Sequence, residues 1–179
     1  MEPPIRNAGR YDDWLRPRSY DIIDVMNDRG AAIYAILREV RPIVLHSTRV
    51  VEHDVRELGW TVGSRAVVEV LAAAGPLTAP QIADRLSLAR QNVQRQIDDL
   101  VRLAHVEVVP NPAHRRSVLA RLTRRGAAAF RQLHARELDA LSGMAQGFSD
   151  KQIETAGRVL ASLDHDIQER ATRPDGADA

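Results

Sequence analysis

The stretch GPLTAPQIADRLSLARQNVQRQIDDLVRLA, residues 75–104, limits what this chain can fold into more than any other segment. Gly75-Pro76 closes the apolar helical run SRAVVEVLAAA, residues 64–74, because proline cannot continue a helix. Thr78, followed three residues on by Gln81, has the spacing of a capping box, and Pro80 is tolerated in a first helical turn. A short helix to about Leu86 follows, with Ile82, Ala83 and Leu86 facing inward. Only Ser87 to Ala89 separate it from a second helix, on which Val93, Ile97, Leu100, Val101 and Ala104 share one face. The opposite face carries Arg90, Gln91, Gln94 and Arg95, with Asn92 at its edge.

Beyond this helix pair, VEVVPNPAHRRSVLARLT reads as two strands, Val106 to Val109 and Ser117 to Leu122, joined by the turn NPAHRRS. The turn places His114, Arg115 and Arg116 together at a hairpin tip, where two adjacent arginines repel each other unless an anion meets them. Charge is distributed to match. From Thr78 to Arg125 there are nine arginines against four acids, a local +5 in a chain whose total is +1, so the remainder carries −4. Such a division points to a basic face suited to nucleic acid.

Helices flank this central region. The pattern from Gly30 to Leu58 is helical, with a kink or restart expected at Pro42. After it Val44, Thr48, Val51, Val55 and Leu58 form one stripe, and His46, Arg49, His53 and Arg56 another. Two long helices end the chain, Arg125 to about Gln146 and Ser149 to about Arg170. The second opens with a Ser149/Gln152 box and a Phe148/Ile153 staple, and Ile153, Ala156, Leu160, Leu163 and Ile167 recur at the spacing of a coiled-coil seam. Residues 1–29 read as a loose arm, partly helical or disordered, and 172–179 as a disordered tail.

At 179 residues one compact unit is expected. The absence of cysteine excludes disulfides and thiolate metal sites within the chain. With no apolar run of membrane length and no secretion signal at the N-terminus, the expectation is a soluble, cytoplasmic protein without membrane contact. His46 and His53 lie roughly 10 Å apart along a helix, too far for one zinc without further ligands, so no metal is expected. No nucleophile with its base and no Gly-rich phosphate loop can be assembled, so neither an enzyme nor a cofactor is expected.

A short helix, a tight turn, a longer polar-faced helix and a basic hairpin follow one another in the order of a winged helix-turn-helix. The expected fold is therefore mainly α with a small β-hairpin wing. In that geometry the second helix enters the major groove of DNA and the hairpin tip reaches the neighbouring minor groove. The segments LTAPQIADRL, ARQNVQR, NPAHRRSVLARLT and the following Arg-Gly resemble the multiple-antibiotic-resistance regulator (MarR) family over roughly residues 42–170. The resemblance implies a homodimer, with 30–60 and 126–171 as the helical dimerisation region and 61–125 as the DNA-binding winged unit. It further implies a repressor of a near-palindromic double-stranded operator, released by a small phenolic or anionic effector. Thr78, Arg90, Gln91, Asn92, Gln94, Arg95, His114, Arg115 and Arg116 are the DNA-contact candidates; of these Arg116 matches the wing arginine of the minor groove, and Arg115 a phosphate contact.

Three positions depart from the family pattern. Ala89 stands where a capping Ser is common, His114 replaces the usual wing aspartate, and Ala104 with His105 replaces the small residue before the wing. The His46, Arg49 and His53 stripe, with Tyr34 or Trp60 as an apolar wall, is the candidate effector site. The rival reading is a winged-helix protein-interaction module that has lost DNA binding.

Overall fold

The computed structural model describes residues 29–114 and 116–172. The elements run α1 (Arg29–Asp54), a 3-10 turn (Arg56–Leu58), α2 (Val62–Ala74), α3 (Ala79–Leu86), α4 (Arg90–Arg102), β1 (Val106–Pro110), β2 (Val118–Leu122), α5 (Arg124–Ser142) and α6 (Asp150–Thr172). The fold is mainly helical with one antiparallel hairpin, as expected. The arm expected over 1–29, the tail expected over 172–179 and Arg115 fall, apart from Arg29 and Thr172, outside the described residues.

Caps fix where the helices begin. Thr61 accepts the Ser64 backbone N–H at the start of α2, and Thr123 accepts that of Gly126 at the start of α5. Both capping boxes form. Thr78 and Gln81 exchange bonds of 2.9 and 3.4 Å, and so do Ser149 and Gln152. Each satisfies amides that a helix start leaves without partners.

The core lies between Val55 and Leu133. Val67, Val68 and Leu71 of α2 meet Ile82 and Ala83 of α3, Val93, Ile97 and Leu100 of α4, Val106 and Ala120 of the hairpin, and Phe130 and Leu133 of α5. Strand register pairs Val106 with Leu122 and Pro110 with Val118. Leu77 adds a third rung, exchanging backbone bonds of 2.8 and 3.0 Å with Ala120 and so tying the start of α3 to the hairpin. At Gly126 a Cβ would stand 2.0 Å from the His105 carbonyl oxygen, so the first turn of α5 reaches the hairpin root only because that residue has no side chain.

Three expectations differ from the structure. Helix α1 is continuous through Pro42 and does not restart there, since the loss of one N–H donor does not interrupt a 26-residue helix. The inward face of α4 stops at Leu100. Val101 is 40% exposed and Ala104 lies outside the helix at φ 58°, with half-buried Leu103 packing on the core instead. Helix α5 ends at Ser142, not near Gln146, because Ala145 turns to φ 52° ahead of the Ser149 cap. Neither α1 nor α6 contains a fully buried residue.

Candidate nucleic-acid interface

Helix α4 owes its orientation to one buried face. Val93, Ile97 and Leu100 are 0–2% exposed, and this turns Arg90, Gln91, Asn92, Gln94 and Arg95 outward together. The Arg95 guanidinium donates to Asn92 Oδ1 at 3.0 Å, and Gln94 donates to Asp98 at 2.8 Å. These exposed bonds hold the side chains in register and exchange readily for contacts to a ligand. No side chain caps α4 at Ala89, and within its first turn the Asn92 N–H turns back to the Ala89 carbonyl at 2.9 Å. Thr78 is half-buried and its hydroxyl is engaged with Gln81.

The hairpin tip is braced from within. Asn111 Nδ2 donates to Ser117 Oγ at 2.8 Å, Asn111 Oδ1 accepts the Ala113 N–H at 3.0 Å, and the His114 carbonyl accepts the Ser117 N–H at 2.9 Å. His114 and Arg116 are both exposed at this tip. On the strands, Arg121 is already paired with Glu107 at 2.9 Å.

Sequence reading missed the contacts that hold these parts in place. Gln96 Oε1 accepts from Thr61 Oγ1 and Ser64 Oγ at 2.9 and 2.7 Å, joining the start of α2 to the middle of α4. Its side chain lies across Gly63, where a Cβ would come within 3.1 Å of it. Arg65 of α2 makes a two-pronged bond of 2.7 and 2.6 Å to Glu137 of α5, with both side chains largely covered. That bond draws the Glu137 carboxyl below its ordinary value against the opposing effect of burial, and raises the Arg65 guanidinium further above its own. Partners 72 positions apart leave no periodic signal in the sequence.

An open cavity of about 620 Å³ lies where α1 and the 3-10 turn meet α2 and α4, with Glu52, Arg56, Trp60, Thr61 and Gln96 on its wall. Of the effector candidates only Trp60 lines it. Tyr34 is 66% exposed, and His46, Arg49 and His53 are exposed elsewhere on α1. Trp60 itself is 5% exposed and donates its indole N–H to His105 Nδ1 at 2.8 Å, the two rings meeting edge to face. Burial, and secondarily the charge of Arg125, hold the His105 imidazole below its ordinary pKa. Among the described residues no three His, Asp or Glu side chains gather as a metal site, and no helix is long and apolar enough to cross a membrane.

A short helix joined by the turn of residues 87–89 to a polar-faced second helix, with a braced hairpin beside it, defines the winged helix-turn-helix class. A model described as MarR family matches residues 61–117. A MarR family transcription regulator of known crystal structure is 30% identical, superposes with a TM-score of 0.71, and is matched over 81% of this chain and 96% of its own. The chain belongs to the MarR family. Protein Rv2011c of Mycobacterium tuberculosis is 38% identical over 101 residues, 56% of this chain and 68% of that one. The uncharacterized HTH-type transcriptional regulator YkoM of Bacillus subtilis is 34% identical over 100 residues, 55% of this chain, and the match spans 62% of YkoM. A mutant E. coli MarR complexed with operator DNA shares the fold at a TM-score of 0.63 and 24% identity, over 76% of this chain and 99% of that one.

Proposed function

We propose that the protein is a sequence-specific, double-stranded DNA-binding transcriptional regulator that acts as a homodimer on a near-palindromic operator. The observation that carries this reading is the single outward face of α4. Its Arg90, Gln91, Asn92, Gln94 and Arg95 are held by a fully buried opposite side, and the Arg116 tip stands on the hairpin that follows. Amide and guanidinium groups are the types that read base edges in the major groove, and a cationic tip suits the negative potential of the minor groove. The complex of E. coli MarR with operator DNA supports the same use of the fold.

Homodimerisation accounts for α1 and α6. Between them runs an apolar groove of about 800 Å³, walled by Ile36, Val40 and Ile43 on one side and Phe148, Val159 and Leu160 on the other. A second copy would cover such faces and set two α4 helices about one duplex turn apart, roughly 34 to 36 Å. Repression is the proposed outcome. A small phenolic or anionic molecule is the proposed effector, and the cavity beside Trp60 and Arg56 is a fitting place for it. Selecting bound fragments from mixed genomic DNA tests the assignment. An inverted repeat with half-sites one helical turn apart is expected, and no enriched sequence would contradict it.

A further inference from the structure

His105 sits where three parts of the winged unit meet. Its N–H donates to the Leu100 carbonyl at the end of α4 at 2.9 Å. Its carbonyl accepts the Thr123 N–H at 3.1 Å, one step below the Val106–Leu122 rung, and Gly126 of α5 presses against the same oxygen. Its ring, 2% exposed, holds the indole of Trp60, which also walls the open cavity at the α1–α2 corner. One side chain thus joins the cavity to the root of the hairpin.

The chemistry of the bond fixes the state of the ring. An indole N–H can only donate, so Nδ1 must present a lone pair and the imidazole is neutral with its proton on Nε2. A proton on Nδ1 would set one N–H against another and place a positive charge on a side chain of a residue only 2% exposed. From α5 the ring faces the charge of Arg125, which opposes a second positive charge. From the α1–α2 corner it faces neutral Trp60, and from α4 and β2 backbone groups and the Thr123 hydroxyl, which bond its main chain.

We propose that His105 is a proton-sensitive positioning residue for the wing. Its neutral ring, gripping Trp60, pins the hairpin root to the α1–α2 corner, and its protonation releases the hairpin and weakens DNA binding. The last clause rests on the DNA-binding reading; the pin itself does not. Because the folded protein depresses this imidazole, its contribution is fully present above the ordinary value of about 6.5 and is lost as pH falls below that toward the lower folded value.

The test uses the full-length chain carrying Trp14→Phe, which leaves Trp60 as the single indole of the two in the sequence. Its emission, followed from about pH 8 to about pH 5, is expected to show a titration below 6.5 that His105→Asn abolishes, since the amide oxygen accepts the same bond and does not ionise. Hydrogen exchange of the β1 and β2 amides, corrected for the intrinsic pH effect, should accelerate over the same range in the His105-containing protein. This measurement keeps the test intact should the Asn variant fail to fold. Affinity for mixed-sequence duplex at constant ionic strength should fall about fivefold or more on acidification. It is measured in a His114→Gln background, so that the exposed wing-tip imidazole plays no part in the comparison.

Emission without a His105-dependent step, or a step with no faster exchange in the hairpin, overturns the proposal. Exchange and emission as expected, with duplex bound equally at both pH values, overturns the link to DNA. If no duplex binds at any pH while the emission step and hairpin release both occur, the pin stands and the DNA-binding reading falls.

Discussion

Between Val55 and Leu133 the chain buries its whole hydrophobic cluster, while α1 and α6, at 26 and 23 residues, contain no fully buried residue, and Val51 of α1, only partly buried, packs against that cluster. Both regions have apolar stripes at helical spacing. In the winged unit the stripes meet each other across α2, α4, the hairpin and α5. On the long helices they face outward, with Ile43, Val50, Leu160 and Ile167 each 44–62% exposed. Exposed apolar patches beyond a few hundred Å² are rare on monomers and mark surfaces awaiting a partner. The winged unit is stabilised by its own chain, and the long helices are proposed to be stabilised by a second copy.

The largest expected effect follows from removing one of those helices. Truncation after Gln146 deletes α6 and should leave monomers or aggregate in sedimentation, whereas a well-folded dimer of the fragment would show that the seam is misplaced. Next in size is a paired substitution. Leu100→Ala opens a cavity in the covered core and should cost about 2–5 kcal/mol at any protein concentration. Leu160→Ala, on the open face, should lower the melting temperature in a way that grows on dilution. Equal, concentration-independent losses would erase the contrast between the regions.

A smaller effect is expected at the ion pair that ties α2 to α5. Glu137→Gln removes the charge that Arg65 holds across α2 and α5 and should cost about 1–3 kcal/mol. Since the Glu137 carboxyl is depressed in the folded protein, this contribution is present above its ordinary value of 4.5 and disappears as pH falls through the folded value. Parent and variant should therefore converge in stability in acid; a constant gap down to about pH 2 would contradict the ion pair as its source. The smallest change in stability is expected at the exposed tip. Arg116→Ala should leave unfolding within about 0.5 kcal/mol of the parent and still weaken duplex binding. Unchanged affinity would refute the wing assignment. Asn92→Ala and Gln91→Ala should instead shift preference among single-base operator variants.

The features legible in the sequence are those whose cause is local. Thr78 with Gln81, and Ser149 with Gln152, announce helix starts because the capping groups lie three residues apart, and both boxes formed. Val93, Ile97 and Leu100 announce the buried side of α4 by their period, and the polar face follows from it. The contacts that aim that face were not legible. Gln96 reaches back 35 and 32 residues to Thr61 and Ser64, Trp60 reaches 45 to His105, and Arg65 reaches 72 to Glu137. Such pairs depend on how elements cross, which no spacing rule encodes. Ala104 shows the same limit at short range, since its period fits the α4 stripe while its φ of 58° ends the helix before that position.

The central claim is that the α4 face and the hairpin tip together grip a duplex, and its most direct test is a titration of mixed-sequence double-stranded DNA at rising salt. Each phosphate neutralised releases counterions, so the logarithm of affinity should fall with the logarithm of salt by about 0.9 per contact. Strong binding at low ionic strength with a slope of several contacts per dimer is the predicted result. A duplex left unbound at low salt by an intact dimer would contradict the account.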